Sequence, residues 1–288
     1  MLKRTFLVLK NRYLDPKFDK LPYLIFILDF IVRITYLLHT DNFFFGDATS
    51  RLVNTLNQSQ SLTLIPHSEW QPFPFWIAGL FSKIAGDIFY APRFAHTFFA
   101  SLTIIPLYKL TKNIFTRQVA ILTCLMFTTA FQLMLIETLT LSEPFFHFFS
   151  VTIFYFFFKD ELKRWDPYLL FLCSLFICLT RFEGWGLCAI FFIASLIQGK
   201  KKLAITIFIG AILGVFYWEG ISMLRGRAFL DAIFISDYEV AKIHETVGYH
   251  PFEVLRLFIM GFSHLSLLSI FIIPIIFSGN KKLKNIIF

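Results

Sequence analysis

Eight long apolar stretches leave this chain few ways to fold. They fall at about 22–39, 91–109, 118–137, 143–159, 166–182, 184–198, 203–220 and 253–277. Crossing ~30 Å of hydrocarbon takes roughly 20 residues of helix, and inside lipid every backbone group must find its partner within the segment. The expected fold class is therefore an all-α polytopic membrane protein. Only 16% of the 288 residues are charged and 57% are hydrophobic, against about 25% charged in a soluble domain. A soluble enzyme, a nucleic-acid binder and a disordered tail are excluded on this ground. The first stretch follows about twenty polar residues and precedes no small-residue cleavage motif, so it reads as a retained anchor.

The net charge of +8 is a topology signal when the cations are sorted by loop. Lys3, Arg4, Lys10, Arg12, Lys17, Lys20, Lys109, Lys112, Arg117, Lys159, Lys163, Arg164, Lys200, Lys201, Lys202, Lys281, Lys282 and Lys284 fall on one side, eighteen in all. Seven fall on the other: Arg51, Lys83, Arg93, Arg181, Arg225, Arg227 and Lys242. Both termini are thus expected in the cytoplasm, in the cell membrane or the endoplasmic reticulum. Thirteen acids, from Asp41 to Glu253, lie on or near the outer side. Carboxylates contribute little to topology, so this excess points to chemistry on the outer face. Cys124, Cys173, Cys178 and Cys188 all sit within apolar stretches and read as small fillers. With no repeat and no linker, residues 1–288 form a single membrane domain. Its parts are a module over 22–220 that includes an outer loop at 40–90, a second outer loop at 221–252, and a last span with a tail at 253–288.

The first outer loop runs for about fifty residues, long for a membrane bundle. Leu52, Val53 and Leu56 between Thr49 and Gln60 suit a short helix on the membrane surface. Residues 75–86 would be about 18 Å long as a helix, too short to span, and read as a second interfacial helix. Asp47 follows Gly46 at the head of the first of these helices. It is either a catalytic carboxylate that accepts a proton from a hydroxyl behind an apolar wall, or a helix cap. Asp41, Arg51 and Glu69 share the loop as supporting polar groups.

Polar groups recur where the later spans reach the outer face. Ser142-Glu143-Pro144 starts a helix, and Glu143 and His147 are four apart on one face. Glu143 is either a second acid of the site tuned by the imidazole, or a helix-start carboxylate favoured by the dipole. Arg181 cannot lie far above the hydrocarbon, where a charge is costly unless paired or facing a polar cavity. It holds either a phosphate, which guanidinium matches bidentately, or a carboxylate such as Glu183, Glu143 or Glu137. Arg225 and Arg227 belong to a mixed-charge segment that is either a solvated face or a seat for an anionic head.

Gly46-Asp47-Ala48-Thr49-Ser50-Arg51, then Trp70-Gln71-Pro72, then Ala91-Pro92-Arg93-Phe94, followed by Ser142-Glu143-Pro144 and Thr180-Arg181-Phe182-Glu183-Gly184-Trp185, resemble the motifs of GT-C-fold glycosyltransferases. The group is that of the family 39 dolichyl- or polyprenyl-phosphate-mannose mannosyltransferases. The resemblance covers about residues 22–220. It implies a GT-C-type bundle of about eight transmembrane helices with interfacial helices in the first outer loop. It also implies inverting transfer of a mannose-type sugar from a polyprenyl- or dolichyl-phosphate donor to an acceptor hydroxyl. The implied base falls on Asp47, with Glu143 as second acid and the donor phosphate near Arg181, Arg93 or Arg225. Some relatives carry Lys where this chain has Gln71, which shifts the phosphate to those arginines. The implied partners are the lipid-linked sugar, the bilayer and an acceptor protein, lipid or glycan, with no nucleic acid. A divalent cation is compatible with the superfold, but the sequence shows no ligand set. The competing classes are a transporter or flippase of a lipid-linked solute and an inactive truncated paralogue. The charges gather at the outer ends of the spans and no repeat is visible, which counts against a transporter.

Overall fold

The computed structural model describes residues 19–40, 47–64, 70–159 and 161–225. Among these residues the chain is wholly helical, in eleven helices. They are α1 (Leu21–His39), α2 (Asp47–Ser61), α3 (Phe73–Ala85), α4 (Tyr90–Leu102), α5 (Ile104–Ile114), α6 (Arg117–Thr129), α7 (Phe131–Glu137), α8 (Glu143–Phe158), α9 (Asp166–Cys178), α10 (Glu183–Ile197) and α11 (Lys201–Leu224). The protein is a helical membrane protein. Two of these helices, α1 and α11, are long and apolar enough to cross a bilayer, and a third span results if α6 and α7 are taken together. The apolar helices α8, α9 and α10, at 16, 13 and 15 residues, fall short of the roughly 20 needed. Hydropathy merges helix with turn: the stretch 166–182 is helical only to Cys178, because residues 179–182 form the tight turn into α10. The full count of eight is therefore not met by the described helices, and the last expected span and the second outer loop beyond Arg225 lie outside the described residues.

Two expected spans are broken, each for a local reason. Pro106 has no N–H to give to Leu102 and its ring crowds that carbonyl, so α4 passes to α5 at Thr103, whose own N–H reaches back to Phe99 and Ala100. Between α6 and α7 the axis bends by 61° at Ala130. The hydroxyls of Thr128 and Thr129 donate back to the Cys124 and Leu125 carbonyls at 3.0 Å each, a competition with the ladder that bends helices.

Two helices, α2 and α3, occupy the first loop. The latter is bound into the bundle: Phe73, Phe75, Ala78 and Gly79 are buried, and α3 packs against α2 and α4. The main core joins Phe73 to Phe145, Phe149, Phe157, Ile177, Phe191 and Trp218. Aromatic edges fill it, with Phe73 ring centroids 4.5 Å from Phe176 and 5.2 Å from Phe149, which is how a Phe-rich chain gains contact beyond area burial.

Helices α9 and α11 approach each other closely at two glycines. A Cβ on Gly210 would sit 2.6 Å from the Phe171 carbonyl, and one on Gly214 would sit 2.7 Å from that of Leu175. Small residues four apart let backbones meet where lipid supplies no hydrophobic drive. Gly210→Val is expected to part the two helices and lower stability by about 1–3 kcal/mol, read as a lower thermal midpoint in detergent; an unchanged midpoint would contradict this seam.

Candidate active site

One end of the bundle gathers the loop between α7 and α8, the turn between α9 and α10, and the head of α2. The α9–α10 turn is held by several bonds: the Thr180 hydroxyl donates to Phe176 O at 2.6 Å, Trp185 Nε1 to Cys178 O at 2.9 Å, and the Phe73 amide to Leu179 O at 3.0 Å. Gly184 is obligatory here, since a Cβ would lie 2.5 Å from the Ile177 carbonyl. This rigid turn presents Arg181, half-buried, to the start of α8.

Arg181 donates to three groups at once. Nη1 reaches Glu143 Oε1 at 2.7 Å and Ser142 Oγ at 3.2 Å, while Nη2 reaches Glu183 Oε1 at 2.6 Å. Ser142 precedes α8 but makes no cap bond through its side chain; its hydroxyl serves Arg181 instead. Burial pulls the Arg181 pKa down, but the bonds to Glu183 and the charge of Glu143 outweigh it and hold the group above its ordinary value. Between the two readings of Arg181, the structure gives the carboxylate partners.

Arg51 is the other cation of the cluster. It lies one helical turn after Asp47, on the same face of α2, and is buried. Its guanidinium stacks on Trp70 at 4.6 Å, and its Nε makes no hydrogen bond among the described residues. Burial lowers its pKa to about 10 against the pull of Glu143 and Asp47, with Arg181 adding to the depression and Glu183 opposing it. It is thus still a cation near neutrality, coupled to all four of those groups. Asp47 is exposed as the first residue of α2. The α2 head is tied to the α7–α8 loop by the Thr140 hydroxyl, which donates to Ala48 O at 2.8 Å.

Asp47, Arg51, Glu143, Arg181 and Glu183 therefore share one electrostatic site. Arg93 is buried beside the cluster and spends its Nε on Thr138 O at 2.9 Å. His147 Nδ1 pairs with Glu137 Oε1 at 2.7 Å. Arg225 follows Leu224 as the C-cap of α11. Asp41 and Glu69 lie outside the described residues. No group of three or more His, Cys, Asp or Glu side chains converges among the described residues to hold a metal. The sequence reading placed Arg51 only in a supporting role and gave Thr140 none. The i, i+4 spacing from Asp47 to Arg51 was the available signal for the former, and nothing local announced the latter.

Beside this end, a cavity of about 550 Å³ opens between α1, α3 and α4. Its walls are apolar, including Ile34, Leu37, Phe81, Ile84 and Phe94, with Asp87 the one charged residue. It shares no residue with the charge cluster.

Residues 67–218 match the family model described as dolichyl-phosphate-mannose-protein mannosyltransferase. No curated protein and no solved structure matches the chain.

Proposed function

Since the chain belongs to the dolichyl-phosphate-mannose-protein mannosyltransferase family, a family of membrane glycosyltransferases, we propose that it transfers a mannose-type sugar from a polyprenyl- or dolichyl-phosphate donor to an acceptor hydroxyl, with inversion. The observation that carries this reading is the Arg181 ion cluster with Glu143 and Glu183, next to a loop whose Thr140 holds the head of the helix bearing Asp47 and the buried cation Arg51. Asp47, exposed at the head of α2, takes the proton of the acceptor hydroxyl. The acceptor oxygen attacks the anomeric carbon from the face opposite the phosphate. The bond from that carbon to the phosphate oxygen breaks, and the lipid phosphate leaves with the electron pair. Fixed cations stabilise that charge without reorganising. Arg51 is the better phosphate ligand, because Arg181 already spans Glu143 and Glu183. Glu143, held in place by Arg181, orients the sugar or the acceptor. Arg93 and Arg225 keep a secondary part in drawing an anionic head to this end. The apolar cavity between α1, α3 and α4 suits the first units of a prenyl chain.

The site end faces outward in this reading. At the opposite end, Lys112 pairs with Asp19 and Lys159 with Asp166, among the cation-rich loops that the charge bias assigns to the cytoplasm. The test uses membranes containing the protein, with labelled mannose presented either on polyprenyl phosphate or on a water-soluble nucleotide. Product from the lipid donor alone is expected. Product from the nucleotide donor in the absence of lipid carrier would overturn the donor assignment, and no product from either would overturn the reading.

A further inference from the structure

Four ionisable side chains form a row beneath the site, and the transfer reaction uses none of them. Asp29 and Arg33 of α1 pair one turn apart, Oδ2 to Nε at 2.8 Å. Arg33 Nη1 reaches Glu137 Oε2 at 2.5 Å, and Glu137 Oε1 accepts a hydrogen bond from His147 Nδ1 at 2.7 Å. The side chains of Asp29, Arg33 and Glu137 are completely buried. Arg33 also stacks on Phe127 at 5.1 Å and donates to its carbonyl at 3.4 Å. The row thus links α1, α6, α7 and α8.

Glu137 is the last residue of α7, and the five residues after it, 138–142, carry three contacts that join the elements of the site. The Thr138 carbonyl receives Arg93, the Thr140 hydroxyl holds the head of the Asp47 helix, and Ser142 meets Arg181. Glu143 follows immediately. Both Glu137 oxygens are used, one by α1 and one by α8, so its carboxylate pins the start of this loop from two sides. We propose that Glu137 is a positioning residue that sets the register between Asp47 and Glu143 through the 138–142 loop, with Arg33 and His147 as its anchors. The proposal rests on Asp47 and Glu143 being the acidic pair of the transfer site.

Glu137→Gln is the informative variant. It leaves the Asp29–Arg33 pair charge-balanced, so the protein is expected to accumulate and melt close to wild type. Two readouts then separate positioning from folding. Backbone amide exchange should quicken in 138–142 and in 47–51, with α9 and α11 unchanged. In the transfer assay, kcat should fall by on the order of 10²-fold, the effect of a misplacement near 1 Å, while KM for the lipid donor stays the same. If the Gln variant fails to accumulate, Glu137→Asp serves in its place, since it keeps the charge and shortens the reach by one methylene. Unchanged exchange in 47–51, or an unchanged kcat, overturns the proposal. Faster exchange in both segments, in a protein whose wild type transfers sugar from no lipid donor, upholds the register while removing the proposed function.

Discussion

Asp47→Asn is expected to lower kcat for sugar transfer by ~10²–10⁴-fold, the contribution of a positioned general base, with the folded protein as abundant as wild type. The asymmetry follows from where Asp47 sits. Its side chain is exposed at the first turn of α2, so the amide costs only a dipole interaction of roughly 0.3–1 kcal/mol. The amide cannot accept the acceptor's proton at neutral pH, whereas the carboxylate can. Arg51, one turn on, keeps its stack on Trp70 in the variant, so donor KM should change little. A variant that retains wild-type kcat would show that Asp47 only starts its helix, and the base would have to be sought at Glu143.

The largest stability effect is expected at Arg33. Its guanidinium lies between Asp29 and Glu137, all three side chains fully buried. Arg33→Gln leaves two carboxylates without their cation in the interior, and breaking a buried pair in this way costs about 3–5 kcal/mol. The loss should appear as poor accumulation and a lower thermal midpoint in detergent. Asp29→Asn combined with Arg33→Gln should regain part of the loss, because the double change removes one of the stranded charges. If Arg33→Gln alone melts like wild type, the row does not carry the energy assigned to it. The contrast with Glu137→Gln is the useful one: the same network should fail on losing its cation and merely loosen on losing its second acid.

Much of this molecule is legible in one dimension because lipid is a demanding solvent. Apolar run length gives the helices, since hydrocarbon offers the backbone no other partner. The helix at 47–61 and the helix starts at Glu143 and Glu183 follow from Asp-Ala-Thr-Ser, Ser-Glu-Pro and Phe-Glu-Gly, all local signals. Run length does not reveal where a helix stops. Cys178 ends α9 four residues before the apolar stretch ends, because hydropathy does not distinguish a buried turn from a helix. Breaks at Thr103 and Ala130 were written in Pro106 and in the Thr128-Thr129 pair, whose effects become visible only when hydrogen bonds are traced.

The sequence by itself determined the medium, the helical class and the family, because composition, run length and short motifs are properties of neighbouring residues. It also singled out Asp47, Glu143 and Arg181 by type and position. Only the tertiary structure decided who meets whom. It gave Arg181 to Glu143 and Glu183, turned His147 toward Glu137, and moved Arg51 from the margin to the middle of the cluster. Arg33 and Glu137 are 104 residues apart, and Thr140 and Ala48 are 92 apart. Pairings at such separations depend on how whole helices pack, and no local pattern in a chain encodes that.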